Sequence, residues 1–298
     1  MTESSGESLL VRLARELGWR AYAIPVLVVI TVWVLIDVFT ATADGGDSPE
    51  ASSADESTEP TTEIAVDSGP NPGDSPALDL GIKDLPPGGP FTDQGEGTYF
   101  TVGATGASAG VGEELVMRYI VEVEDGVDTA GFGGGDAFAA MVDATLANPK
   151  GWTDDPRYRF EHVADDEEPD MRIQLTSVGT THAICGAELD METSCHIKIN
   201  GTSHVVINQA RWIRGATPFN GDLGSYRQYL INHEVGHGLG YAAHEPCLSD
   251  GELAPVMMQQ TLSLNNSELH SFNPNEIYPD DNKTCVYNPW PFPRTATS

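Results

Sequence analysis

Basic residues are scarce in this sequence. Lys and Arg account for 15 of its 298 residues, against 45 Asp and Glu, so the formal net charge is −30 at pH 7. Proteins that bind nucleic acid need a basic surface to neutralise the phosphates. We therefore expect no nucleic-acid partner, and we relate the acidity to solubility rather than to fold.

Cysteine is sparse as well, with four residues and no CxxC spacing. The missing CxxC argues against a structural zinc site built from all four cysteines. An even number fits two disulfides in a domain outside the cytoplasm. Three pairings are possible. Short loops close more readily, which favours Cys185 with Cys195 and Cys247 with Cys285.

Long hydrophobic runs are absent except for one, residues 21–43, in which Asp37 is the only charge. A transmembrane helix needs about 20 residues, and a signal-peptide core has roughly 7–15. The length of the run favours an uncleaved transmembrane signal anchor. Arginines in residues 1–20 then make that segment a cytoplasmic tail. We predict a single-pass cell-membrane protein with an extracytoplasmic C-terminal domain, or a secreted one if the run is cleaved.

Residues 44–90 contain no aromatic side chain and are rich in Asp, Glu, Ser, Pro and Gly. Such a segment buries too little apolar surface to offset the entropy lost on ordering. We predict a disordered acidic linker there. Residues 91–298 are of ordinary length for one domain.

Within that domain, hydrophobic periodicity predicts both strands and helices, as in an α+β fold. The part after Gly240 has little periodicity and several prolines, so we expect it to be rich in loops. The predicted strands are residues 99–104, 115–123, 171–178 and 204–208, and the predicted helices are residues 136–147 and 223–239.

The second helix carries the sequence His233-Glu234-Val235-Gly236-His237. Residues four apart lie on the same face of a helix, so His233 and His237 can bind one ion. Neutral imidazole suits Zn²⁺, and Glu234 can act as the general base on a metal-bound water. The alternatives are two solvated histidines on a surface helix, or a metal site without catalysis.

A third ligand is expected after the helix. Gly240 can adopt the left-handed conformation that turns the chain back, and His244 follows four residues later. This arrangement resembles the metzincin pattern HExxHxxGxxH, with one extra residue before the last histidine. Glu245 and Asp250 are the alternative ligands.

Two adjacent methionines, Met257 and Met258, follow the histidines. Metzincins place a methionine in a tight turn beneath the metal, and either residue matches that position. We favour Met257, although a methionine that simply fills the core is the alternative.

The resemblance extends over residues 91–293. It is carried by YIVEVEDGV, FAAMVDATLANPKGW, MRIQLTS, YRQYLINHEVGHGLG, PVMMQQT and NPWPFP. On these segments the chain resembles an uncharacterised family of actinobacterial secreted or membrane-anchored zincin-like domains. The resemblance implies a zincin/metzincin-like metallopeptidase fold, α+β with a mixed sheet and an active-site helix, and names no substrate.

We therefore expect a zinc metallopeptidase that hydrolyses a peptide or protein substrate. The strand at residues 171–178 is expected to be the sheet edge to which an extended peptide could add. One alternative is a zinc amidase that acts on cell-wall peptides. The other is a surface binding module that keeps zinc only for folding.

Overall fold

The computed structural model describes residues 31–32, 80–186 and 193–294. The chain divides into two compact units, Met1–Asp74 and Ser75–Ser298. Within the described ranges, no helix combines the length and the apolar character that crossing a membrane would require. The predicted tail, nearly all of the predicted anchor and the linker up to residue 79 lie outside the described residues.

A seven-stranded mixed sheet forms the centre of the second unit, as predicted. Its strand order is β2-β4-β3-β5-β7-β6, and β1 pairs with β3. The four inner strands are parallel to one another, while β2 and β6 run antiparallel to their neighbours. The strands are β1 (Tyr99–Thr101), β2 (Ser108–Gly110), β3 (Leu115–Glu124), β4 (Tyr158–His162), β5 (Met171–Thr176), β6 (Cys195–Ile199) and β7 (Thr202–Asn208).

In residues 80–186 and 193–294, five α-helices accompany the sheet: α1 (Gly134–Leu146), α2 (Val178–Cys185), α3 (Gln209–Arg214), α4 (Leu223–Leu239) and α5 (Asn266–Phe272). Helix α4 packs against β6, β7 and α1. The main core lies on this face of the sheet, because alternate strand residues such as Val121, Ile173 and Val205 point towards the helices and are fully buried.

The structure contradicts the expectation that residues 171–178 form the sheet edge. Strand β5 lies between β3 and β7, so both of its sides are paired. The edge nearest α4 is β6, which pairs with β7 alone among the described strands. Strand β5 also stops at Thr176, because the Ser177 side chain accepts from the Thr180 amide and caps α2.

The part after Gly240 is rich in loops, as predicted, and has a second, smaller core. Its buried members include Met258, Leu262 and Leu269. Both disulfides have the predicted pairing, Cys185 with Cys195 and Cys247 with Cys285. No cysteine is free among the described residues, which excludes the four-cysteine zinc site.

The end of the predicted linker contacts α3. Arg211 donates to the carbonyls of Lys83 and Asp84, both at 3.3 Å. Arg214 donates to the carbonyl of Gly89 at 2.9 Å. Residues 80–90 therefore pack against the rest of the second unit.

Candidate metal centre

Helix α4 begins and ends where its capping residues predict. The Asp222 side chain accepts from the Ser225 amide at 3.0 Å at the N-terminus. At the other end, Gly240 has φ +106° and its amide donates to the His237 carbonyl, while the Tyr241 amide donates to the Gly236 carbonyl. This pair of bonds is a Schellman motif, which turns the chain back towards the helix.

His233 and His237 lie one turn apart, and a main-chain carbonyl orients each ring. Nδ1 of His233 donates to the Val256 carbonyl at 2.9 Å. Nδ1 of His237 donates to the Tyr241 carbonyl at 2.8 Å, so the Schellman turn also positions this ring. In both residues the proton is on Nδ1, and Nε2 keeps its lone pair for a ligand.

The turn brings His244 to the other two histidines despite its longer spacing. The ring centroid of His244 is 5.4 Å from that of His233 and 5.3 Å from that of His237. One nitrogen from each of the three lies within 4.8 Å of the others. These three residues form the candidate metal centre.

The alternative third ligands are not part of this group. Among the described residues, only the three histidines form a cluster that could hold a metal ion. The Asp250 carboxylate instead accepts from the Thr284 amide at 2.9 Å. Glu245 is exposed, and its amide donates to the Met257 carbonyl at 3.1 Å.

The donor set fits a metal such as zinc. Nε2 of His233 is buried and has no hydrogen-bond partner in the described part of the chain. Leaving a buried polar atom unpaired costs about 1–3 kcal/mol, which coordination would offset. Burial and the neighbouring histidines lower the pKa of His233 well below its ordinary value, and burial also lowers the pKa of His237. Both imidazoles are therefore neutral at pH 7, as metal binding requires.

Glu234 follows the first ligand and is 3% exposed. Burial raises the pKa of its carboxyl to about 8. A cation nearby would lower that pKa and favour the carboxylate. Glu234 thus adjoins the first ligand in sequence, and its carboxylate, once ionised, can accept a proton.

A turn formed by Val256, Met257 and Met258 supports the centre through three successive carbonyls. The Val256 carbonyl holds His233, and the Met257 carbonyl holds the segment after His244. The Met258 carbonyl accepts from the Tyr229 hydroxyl at 2.9 Å. The turn therefore links the helix to the third histidine.

The two methionine side chains point to different cores. Gly236 lies between His233 and His237 in the sequence, and a Cβ added to it would be 2.5 Å from Sδ of Met257. The Met257 side chain therefore packs directly against α4. Met258 packs in the second core, with Leu262 and Leu269. Met257 is therefore the methionine that packs against α4, and its place in a turn beneath a metal stays a prediction.

Several residues that support the three histidines could not be identified from the sequence. The carbonyls of Tyr241 and Val256 are main-chain atoms, which no side-chain pattern reveals. Glu276, whose Oε2 accepts from Nδ1 of His244 at 3.4 Å, is distant in sequence. Tyr229 could have been predicted to lie beside His233, since it is four residues earlier on the same helix face.

Comparison with known families gives one match. The family model described as "Protein of unknown function (DUF3152)" matches residues 85–293. The match includes the sheet, α4 and all three histidines of the candidate metal centre. No curated protein matches the chain, and no solved structure matches it.

Proposed function

The chain belongs to the DUF3152 family, and we propose from the geometry of the candidate metal centre that it is a zinc-dependent hydrolase of peptide bonds. One observation carries the proposal: His233, His237 and His244 converge, and the Nδ1 atom of each ring already has a partner. Three protein ligands leave a fourth position for water or substrate, as in catalytic zinc sites. We further propose a zincin-like architecture, in which α4 is the active-site helix.

The reaction requires a proton acceptor beside the metal, and we propose Glu234, which follows the first ligand in the sequence, for this role. A bound zinc ion would polarise the substrate carbonyl and lower the pKa of the attacking water. Glu234 takes a proton from this water and returns it to the leaving amine. The Val256 and Tyr241 carbonyls keep both helical histidines in the tautomer that leaves Nε2 unprotonated.

We propose that the substrate is an extended peptide that adds to β6 (Cys195–Ile199). This strand is at the sheet edge and packs beside α4, so a peptide hydrogen-bonded to it would run along the candidate metal centre.

The proposed location is outside the cytoplasm. Two disulfides support this proposal, because disulfides persist in oxidising compartments and are rare in the cytosol. A single-pass anchor at residues 21–43 stays a prediction, as does the alternative in which this run is cleaved.

A cleavage assay tests the function. The purified full-length protein, loaded with zinc, would be incubated with a diverse peptide library, and the products would be identified by mass spectrometry. We expect cleavage by the wild type and a loss of about 10²–10⁴-fold in rate for Glu234→Gln, with one zinc still bound. Glu245→Gln is the matched control, because this exposed carboxylate is outside the candidate metal centre, and it should cleave like the wild type.

The same samples separate the alternatives. Release of amide-bond fragments from cell-wall peptides, without cleavage of the library, would favour the amidase. A folded wild-type protein that binds one zinc and cleaves neither substrate would contradict hydrolysis. In that case a binding function that survives Glu234→Gln would support the surface module.

A further inference from the structure

The three histidines of the candidate metal centre differ in what orients them. His233 and His237 each donate to a main-chain carbonyl, at 2.9 and 2.8 Å. His244 donates to a side chain instead, the Glu276 carboxylate, at 3.4 Å. Two ligands are thus held by the backbone of the fold, and the third by a residue that can be exchanged by mutation.

The His244 side chain is only 19% exposed, but among the described residues its one side-chain hydrogen bond is the one to Glu276. Ala242 and Ala243, which precede it, are exposed. The rings nearest to His244 are those of its two partner histidines and, at 6.3 Å, Tyr278. The direction of its Nε2 atom therefore depends on what Nδ1 binds.

Glu276 is held in place by the second core. Its amide donates to the Asn273 carbonyl at 3.1 Å. Two residues later, Tyr278 is buried; its hydroxyl accepts from the Gln259 amide at 2.8 Å, and its carbonyl accepts from Nδ1 of His270 at 2.9 Å. The Glu276 side chain is 38% exposed, but the backbone is anchored on both sides of it.

We propose that Glu276 is a positioning residue for the third metal ligand, and this inference rests on the zinc binding proposed above. Its carboxylate accepts the Nδ1 proton of His244, which selects the tautomer and turns Nε2 towards His233 and His237. Carboxylate–histidine–metal arrangements of this kind hold the ring and increase the basicity of the ligand. Glu276 thereby compensates for the longer chain between Gly240 and His244.

Zinc affinity tests this role without depending on catalysis. The dissociation constant of the purified full-length protein would be measured by competition with a chromophoric chelator, and folding would be checked by circular dichroism. We expect Glu276→Ala to bind zinc about 10–100-fold more weakly than the wild type. Glu276→Gln keeps an acceptor oxygen and should lose less, and the control Glu245→Ala should lose nothing.

A double-mutant cycle separates positioning from general support. In a His244→Ala background the carboxylate has no ring to orient, so Glu276→Ala should cause no further loss. An equal loss with and without His244 would overturn the role, and so would an unchanged affinity in folded Glu276→Ala. A wild type that binds no zinc would contradict the proposed function as well, whereas tight wild-type binding with an unaffected variant would overturn only the inference.

Discussion

Replacing Gly240 with alanine should weaken zinc binding through the backbone alone. Gly240 has φ +106°, a region that L-residues rarely adopt, and an added Cβ would meet no atom within 4 Å. The substitution therefore adds no clash, and its cost is conformational, about 1–2 kcal/mol. Strain at this position acts directly on the carbonyl of Tyr241, the next residue, which orients His237.

The size of the effect on zinc follows from where the strain is relieved. Without metal, the turn in Gly240→Ala can relax and move the Tyr241 carbonyl away from His237. Zinc binding must then restore the strained turn, so affinity should fall by up to the same 1–2 kcal/mol. Since about 1.4 kcal/mol corresponds to a factor of ten, we expect binding roughly 5–30-fold weaker than in the wild type.

Gly251 provides the matched control. It also has a positive φ, +77°, and open space around an added Cβ. Its amide donates to the Thr284 carbonyl, away from the histidines. Gly251→Ala should therefore show a similar loss of stability in denaturant unfolding and an unchanged zinc dissociation constant. Equal weakening of zinc binding by both variants, or none by Gly240→Ala, would refute the link between the turn and His237.

Three further variants test packing and cross-linking. Gly236→Ala should lower the free energy of unfolding by up to about 2 kcal/mol in a urea titration. Overpacking against the buried Trp152 ring, 2.8 Å from the new Cβ, costs about 1–3 kcal/mol, and the better helix propensity of alanine returns only about 1 kcal/mol. The control Gly224→Ala lies in the same helix with no atom closer than 3.6 Å to the new Cβ, and its free energy of unfolding should rise by up to about 1 kcal/mol. Removing the bridge between Cys247 and Cys285 by a double serine substitution should cost about 4 kcal/mol, since it opens a 38-residue separation, and an unchanged thermal midpoint would contradict this estimate.

Local pattern predicted much of the fold. Helix α4 has the predicted bounds, Leu223–Leu239, because its capping residues and apolar spacing are read within one segment. Strand β3 differs from its prediction by one residue at the C-terminal end. Both disulfide pairings were also predicted, because loop closure favours cysteines that are near in sequence.

The order of the strands in the sheet could not be predicted from local sequence pattern. Residues 171–178 alternate as an edge strand would, but an alternating pattern does not state how many neighbours a strand has. The pairing of β5 with both β3 and β7 joins segments that are far apart along the chain. The last residues of the predicted linker show the same limit, since their composition indicates disorder while Arg211 and Arg214 bind their carbonyls within the second unit.

For the candidate metal centre, the sequence by itself determined what depends on helical period and on residue type. His233 and His237 share a face because they are four residues apart, and Gly240 ends the helix because it tolerates a positive φ. Only the tertiary structure decided that His244 reaches them, that Glu276 meets its Nδ1 atom, and that the Val256 carbonyl holds His233. These contacts join segments that are far apart in the sequence, and some of them use main-chain carbonyls, which every residue has. They therefore form only when the part of the chain after Gly240 folds against α4.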